Sequence, residues 1–196
     1  MMNQLVLFDF DGTITSRDSF PLFFRFTFGR LKFFTGFLIF VPLFILYKFQ
    51  LLDGGIFKKH LLSFYLKNKK TNWLKEKGEL YCNFLEKTGI IKPKFVSLIN
   101  NYKENNATIV VVSASPDIWV KPFAEKHGIY YICTELLHEN NLFTGNLKTK
   151  NCNGSEKKKR ILQKFDITEF NEIVAYGDSS GDDFMMELAN VKNWVK

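Results

Sequence analysis

Short apolar runs that end abruptly in polar residues are the main pattern in the two outer parts of the chain. They cover residues 5–8, 107–112, 129–133 and 173–176. Runs of this length, bounded by turn residues, are typical of strands buried on both faces of a parallel sheet. The sequence therefore predicts an α/β fold in which a Rossmann-like parallel sheet is sandwiched between helices.

A long insertion separates the first apolar run from the second, from residue 16 to about residue 106. Asp18 is placed to cap a helix that has Pro21 in its first turn, and residues 93–105 form an amphipathic helix that leads back to the sheet. We expect a core of residues 1–15 and 107–196 and a helical cap of residues 16–106. Residues 142–147 are predicted to form part of a hairpin around Gly145.

The insertion is rich in phenylalanine and in basic residues. Residues 33–47 carry no charge and lie between Lys32 and Lys48, Pro42 is expected to interrupt them, and Asp53 is the only acid from Ser19 to Lys75. A bilayer span needs about 20 apolar residues, and aromatic helices flanked by bases are typical of anionic membrane surfaces. Three interpretations stay open: packing inside the cap, contact with an anionic membrane surface, and a true span.

Charge and cysteine usage restrict the partners and the compartment. The formal net charge is +7, which suits phosphorylated metabolites, lipid head groups or nucleic acid. Nucleic acid is disfavoured because the lysines show no readable interleaving with aromatic residues. The three scattered cysteines form no C-x-x-C motif, and Met1–Gln4 is too short for a secretory signal. We expect a cytoplasmic protein, with a peripheral place at the inner face of the cell membrane as the open alternative.

Carboxylates cluster where two of the predicted strands end. Asp9 and Asp11 follow the first strand, and Asp178 and Asp182 follow the last. In an extended chain, side chains that are two residues apart lie on the same face. Two carboxylates that lie so close together both ionise only when a cation lies between them. Oxygen ligands favour Mg²⁺. One Asp could then attack a phosphorus atom while the other moves a proton. The alternative is an ordinary Asp-Gly turn.

Two further residues have the right chemistry for a phosphate site. Ser113 ends the second strand beside a helix N-terminus, where a hydroxyl can contact phosphate. Ser115, which precedes Pro116, is expected to serve as the N-cap of that helix. Lys157 lies near the start of a later helix and could offset charge in a transition state. The basic residues 158–160 that follow it are expected to be a solvated run.

The order of these motifs resembles the haloacid dehalogenase superfamily of phosphohydrolases. The matching elements are Asp9-x-Asp11-Gly12-Thr13, a strand ending in Ser113, a lysine, and Gly177-Asp178-x-x-x-Asp182. A helical insertion between the first two motifs resembles the C1-type cap of subclass IB, which includes phosphoserine phosphatase. The resemblance covers the core on both sides of the insertion.

The resemblance implies a role for each matching residue. Asp9 would be the nucleophile that forms an aspartyl-phosphate, Asp11 the general acid and base, and Lys157 the residue that neutralises both nucleophile and phosphate. The substrate-binding residues implied are Thr13, Ser113 and Ala114. The implied Mg²⁺ ligands are Asp9, Asp11 through its carbonyl, Asp178 and, from just outside, Asp182. Asp183 is the alternative to Asp182 as the second acid of the last motif.

Departures from the family concern the substrate. Gly181 stands where phosphoserine phosphatases have asparagine, and the basic, phenylalanine-rich cap resembles the layout of the bacterial C-type phosphatidylglycerophosphate phosphatases. A lipid phosphate is therefore the expected substrate, and a small soluble metabolite such as phosphoserine is the alternative. A membrane-surface binding protein without activity is the competing function from another class. The oligomeric state stays open.

Overall fold

A parallel sheet flanked by helices forms the centre of the fold in the computed structural model, which describes residues 3–49 and 51–195. In chain order the elements are β1 (Gln4–Phe8), α1 (Ser19–Lys48), α2 (Gly54–Leu66), α3 (Thr71–Lys87), α4 (Pro93–Glu104), β2 (Thr108–Pro116), α5 (Asp117–His127), β3 (Tyr130–Thr134), β4 (Leu136–Glu139), β5 (Leu142–Leu147), α6 (Ser155–Lys164), β6 (Glu172–Gly177), α7 (Asp183–Met186) and β7 (Val191–Trp194). The five sheet strands lie in the order β3-β2-β1-β6-β7, and every neighbouring pair is parallel. The predicted fold class is confirmed.

The uninterrupted apolar runs follow from burial on both faces of the sheet. In β1, Val6 and Phe8 face the layer that holds α4 and α5, whereas Leu5 and Leu7 face the layer that holds α6 and α7. Because successive side chains of a strand alternate between faces, a strand covered on both sides has to be apolar at every position.

All four helices of the insertion lie between β1 and β2, and they pack in different places. The Phe95 ring on α4 meets the Phe8 ring edge-on, with centroids 6.0 Å apart. The Tyr102 and Tyr176 hydroxyls are 2.9 Å apart, which joins α4 to β6. α4 therefore covers the sheet, while α1, α2 and α3 form the rest of the insertion. The division into core and cap at residues 15/16 and 106/107 stays a prediction.

The first helix of the insertion has two parts. Asp18 caps it as predicted, accepting a hydrogen bond of 2.9 Å from the Phe20 amide. Gly29, at φ 79° and ψ 165°, breaks the helix between a buried first part and a largely exposed second part. Pro42 does not interrupt it, contrary to expectation. Pro42 and Leu38, whose carbonyl loses its helical partner, both lie on the exposed side, where water can bind that carbonyl.

The predicted hairpin exists, but its turn lies elsewhere. β4 pairs antiparallel with β5, and the chain reverses at Asn140 and Asn141, whose φ angles are 50° and 61°. Gly145 lies within β5. A two-residue hairpin turn of this kind requires a positive φ at both positions, and asparagine tolerates that conformation better than most residues. The glycine was therefore the wrong turn signal.

Candidate active site

The carboxyl ends of β1, β2 and β6 meet at one edge of the sheet because the three strands are parallel neighbours. The Asp9 amide continues the ladder, donating a hydrogen bond of 2.9 Å to the Tyr176 carbonyl. Among the residues that the structure describes, Asp9, Asp178 and Asp182 form a cluster with one carboxylate oxygen from each within 4.8 Å of the others. Residues far apart in sequence thus meet where the motifs predicted.

A buried lysine joins two of these acids. Lys157 Nζ donates hydrogen bonds to Asp9 Oδ1 at 2.5 Å and to Asp182 Oδ1 at 2.6 Å, and its side chain is fully buried. Burial lowers the pKa of Lys157, but the carboxylates of Asp9 and Asp182 outweigh it and hold the pKa above its usual value. Lys157 therefore stays charged, as a structural partner of the acids.

The cluster still carries more negative charge than Lys157 can balance. Burial raises the pKa of Asp9, Lys157 opposes that rise, and the nearby Asp182 carboxylate adds to it. Burial also raises the pKa of Asp178, followed by the effect of Asp182. Grouped carboxylate oxygens that destabilise each other's charge are the donors that a hard divalent cation prefers. The residues present therefore fit Mg²⁺, and the ligand roles of Asp9 and Asp178 stay predictions.

Gly12 lets the first motif approach the last. Its φ is 82°, and a Cβ placed there would lie 2.0 Å from Asp178 Oδ2. A side chain at this position would be strained and would push Asp178 out of the cluster. Lys92 Nζ binds the Gly12 carbonyl at 2.7 Å and holds the turn from the other side.

In the folded protein Asp182, and not Asp183, lies in the acidic cluster as the second acid of the last motif. Its Oδ2 accepts hydrogen bonds from the Asp178 and Ser179 amides at 3.1 and 3.2 Å, while its Oδ1 binds Lys157. It is 1% exposed, whereas Asp183 is exposed. Asp182 thus orders the loop that carries Asp178 and supports the cluster from behind.

The Asp11 carboxylate points away from this cluster. Its Oδ1 accepts a hydrogen bond of 2.7 Å from the Ser19 amide, and its Oδ2 accepts one of 2.5 Å from Ser115 Oγ. The spacing of two residues predicts that both acids of the first motif reach one site, and the structure contradicts this. The chain leaves the extended conformation after Asp9, since Phe10–Ile14 forms a single wide turn, and the two side chains diverge. The ligand role of the Asp11 carbonyl stays a prediction.

The prediction that Ser115 is the N-cap of α5 is wrong. β2 continues to Pro116, so α5 begins at Asp117 and Pro116 takes the N-cap place. Ser115 Oγ instead donates to Asp11 and lies 3.3 Å from Ser19 Oγ, which accepts a hydrogen bond from Trp119 Nε1. The strand is longer than its apolar run, which is why capping statistics misled the prediction.

The predicted phosphate-binding residues lie beside the acids. Ser113 Oγ is buried and accepts a hydrogen bond of 2.9 Å from the Ser115 amide, and its own proton has no acceptor among the described residues. The buried Thr13 hydroxyl has no hydrogen-bond partner within residues 3–49 and 51–195. The Ala114 carbonyl accepts hydrogen bonds from Lys58 Nζ at 2.5 Å and Thr134 Oγ1 at 2.8 Å. The substrate contacts of these three residues stay predictions.

Sequence reasoning missed Lys58. Its ammonium reaches from α2 to the Ala114 carbonyl and to Asn151 Oδ1, at 3.3 Å, and lies 5.3 Å from the centre of the Phe20 ring. Burial lowers the pKa of Lys58, against the opposing effects of Asp11 and Asp18. Its place one turn before the buried Leu61 and Leu62 was the only signal that separated it from the exposed bases nearby.

We expect Ser115→Ala to lower kcat about 10- to 100-fold with little change in KM. The Asp11 carboxylate would lose one of its two described donors, and a hydrogen bond to a charged group contributes about 1.5–3 kcal/mol. Steady-state kinetics on an aryl phosphate would measure this, with Ser115→Thr restoring part of kcat. Ser97→Ala, on the exposed side of α4, is the matched control. Equal rates for wild type and Ser115→Ala would contradict the positioning role.

Comparisons with known proteins show the family to which the chain belongs. The family model for haloacid dehalogenase-like hydrolases matches residues 6–187. Protein CicA of Caulobacter vibrioides is 31% identical over 193 residues, which cover 97% of this chain and 85% of that protein.

Two solved structures share the fold. A protein of unknown function from Bordetella pertussis Tohama I superimposes with a TM-score of 0.85 at 18% identity, covering 98% of this chain and 89% of that chain. A phospho-aspartyl intermediate analogue of phosphoserine phosphatase superimposes with a TM-score of 0.65 at 21% identity, covering 98% and 86%. The prediction of an enzyme of the hydrolase class is therefore confirmed by the family model, and the chain belongs to the haloacid dehalogenase-like hydrolases.

Proposed function

We propose that the chain is a Mg²⁺-dependent phosphomonoester hydrolase that works through an aspartyl-phosphate on Asp9. The observation that carries this proposal is the contact of Lys157 with Asp9 and Asp182 inside the acidic cluster. This arrangement orients the Asp9 carboxylate next to a candidate cation site. The similarity to a phosphoserine phosphatase captured as a phospho-aspartyl analogue supports the same chemistry.

In the proposed reaction Asp9 is the nucleophile, and Asp11, whose carboxylate points elsewhere, transfers the protons. An Asp9 oxygen attacks the phosphorus and forms an O–P bond while the ester P–O bond breaks, and Asp11 gives its proton to the departing alkoxide. Water then attacks the aspartyl-phosphate and gives a proton to Asp11, which releases inorganic phosphate and restores Asp9. Mg²⁺, when bound, shields the negative charge of nucleophile and phosphate. Ser113 and Lys157 would hold the phosphoryl oxygens.

The shape of the adjoining cavity favours an amphiphilic substrate. A cavity of about 1200 Å³ joins a polar end, which includes Asp11, Lys58 and Ser115, to an aromatic end on α1 that includes Phe33 and Phe37. The acid that protonates the leaving group lies at the polar end, so the leaving group would extend toward the aromatic end. A lipid phosphate such as phosphatidylglycerophosphate has this distribution of charge and hydrocarbon. We propose a cytoplasmic enzyme that is peripheral at the inner face of the membrane.

A small zwitterionic substrate is the second candidate. The same cavity is lined by side chains of both charges, including Asp18, Asp53, Lys58 and Lys59. A zwitterionic substrate needs both charges, and the basic composition of the cap did not indicate the acidic ones. Several structural relatives are phosphoserine phosphatases. A silent binding protein has less support, because every residue that the proposed reaction needs is present at one edge of the sheet.

A substrate panel tests the proposal. We expect hydrolysis of an aryl phosphate with Mg²⁺ that falls to background with EDTA, and kcat/KM that rises with acyl chain length from glycerol phosphate to phosphatidylglycerophosphate presented in mixed micelles. Higher kcat/KM for phosphoserine than for every lipid phosphate would select the second candidate. If no compound of the panel releases phosphate in the presence of Mg²⁺, the proposal that the chain is a phosphomonoester hydrolase is wrong.

A further inference from the structure

The second part of α1 exposes an apolar surface. Among the described residues, α1 is the helix that by length and composition could cross a bilayer, with a mean hydropathy of 1.7 in a window that is only 17% buried. We call residues 30–49 the exposed α1 segment. Six apolar side chains on it or just after it are more than half exposed: Leu31, Phe34, Leu38, Ile39, Phe49 and Leu51. Exposed apolar side chains that cluster on one segment, rather than lying singly, are typical of surfaces that contact a protein or a membrane.

One side of the exposed α1 segment is held against α2. The Tyr65 hydroxyl donates a hydrogen bond of 2.9 Å to the Phe33 carbonyl. The Phe40 ring meets the Phe64 ring with centroids 5.2 Å apart, and the Tyr47 ring stacks on the Phe57 ring at 5.5 Å. These contacts run along the whole segment. It therefore lies lengthwise on the protein, and spanning a bilayer would require breaking all of them.

Basic residues border the apolar surface. Arg30 and Lys32 lie at its first end, Lys48 lies at its last, and all three are exposed. The single acid of this part of the chain, Asp53, uses a carboxylate oxygen to cap α2, where it accepts hydrogen bonds from the Gly55 and Ile56 amides. An apolar face with cationic ends is complementary to lipid chains lying under anionic head groups.

We propose that the exposed α1 segment docks parallel to the surface of an anionic lipid bilayer, with Leu38 and Ile39 inserted and Arg30, Lys32 and Lys48 at the head groups. The aromatic end of the catalytic cavity is lined by Phe33, Phe34 and Phe37 of the same segment, so docking would bring the mouth of the cavity to the lipid. Delivery of a lipid substrate rests on the proposed function, whereas docking itself does not.

Vesicle sedimentation with the full-length Asp9→Asn protein, without Mg²⁺, tests docking independently of turnover. We expect partition into vesicles of equal parts phosphatidylglycerol and phosphatidylcholine, and at least about tenfold less into phosphatidylcholine alone or in 0.5 M NaCl. Leu38→Glu with Ile39→Glu should reduce partition at least about tenfold, because the two apolar side chains that would insert into the lipid become charged. Removing Arg30, Lys32 and Lys48 as glutamines should cost about fivefold for each charge, at about 1 kcal/mol per base.

Leu162→Glu is the matched control, since Leu162 is similarly apolar and 45% exposed but lies on α6, in the layer on the opposite face of the sheet. It should bind vesicles like the parent. Circular dichroism and thermal melts verify that each variant folds. Equal binding by the Leu38/Ile39 variant, or no binding by the parent, would overturn docking. Docking would also be overturned if the parent did not bind vesicles and light scattering showed that it forms a dimer which the Leu38/Ile39 variant does not form. Vesicle binding by the parent, together with a wild-type protein that releases no phosphate from any substrate, would instead contradict only the proposed function.

Discussion

Asp9→Asn is expected to reduce phosphomonoester turnover at least about a thousandfold, as removal of a covalent nucleophile does in other enzymes. Asparagine keeps the shape of the side chain but cannot form the aspartyl-phosphate. The fold should tolerate the change, because Lys157 keeps its hydrogen bond to Asp182 Oδ1 at 2.6 Å. Phosphate release from an aryl phosphate under saturating Mg²⁺ measures the effect.

Asp183→Asn is the matched control for this prediction. Asp183 is an exposed acid beside the same site, so its loss changes the net charge equally without touching the nucleophile. We expect it to stay within about twofold of wild type, as a surface substitution does. A full rate for Asp9→Asn, with the protein purified from a host free of other phosphatases, would contradict the assignment of Asp9.

Lys157→Met should abolish turnover and also destabilise the fold by about 3–5 kcal/mol in the absence of metal. The reason is burial. Asp9 and Asp182 share this one ammonium, and removing one partner of a buried ion pair leaves uncompensated charge in a poorly solvated place. Urea unfolding in EDTA measures the loss, and added Mg²⁺ should restore part of it by binding the carboxylates.

Lys158→Met provides the comparison for this second prediction. The neighbouring lysine pairs with Glu187 at 2.7 Å on the surface, where ion pairs contribute about 0–1 kcal/mol. The two substitutions remove the same charge from adjacent residues of α6, so their difference isolates burial. A loss of stability below about 1 kcal/mol for Lys157→Met would show that the cluster does not depend on this cation.

The strands and the convergence of the acids could be predicted because both depend on local pattern and on one general property of parallel sheets. Residues 5–8 and 173–176 are apolar throughout because helices cover both faces of the sheet, and neighbouring parallel strands end at the same edge. Asp9, Asp178 and Asp182 therefore meet wherever β1 and β6 pair. Lys157 could be placed only through its order among the motifs, since residues 158–160 look alike.

Other features depended on details that no short window contains. Asp11 turns away from Asp9 because the chain curls at Phe10–Ile14, and Ser115 faces Asp11 because β2 is longer than its apolar run. Lys58 is one base among many until α2 packs beside β2 and brings its ammonium to the Ala114 carbonyl. Each depends on a backbone path or a packing contact between distant segments.

By itself, the sequence determined the sheet, the helical insertion, the four motifs and the family, because alternation, run length and the chemistry of single residues are written locally. Only the tertiary structure decided that the two acids of the first motif diverge, that Asp182 rather than Asp183 supports the cluster, and that one half of α1 is buried while the other is exposed. The physical reason is that the burial and orientation of a side chain depend on which distant segment packs against it. The phenylalanines on either side of Gly29 are the same residue type, and only the neighbours that fold against them distinguish a core from a docking face.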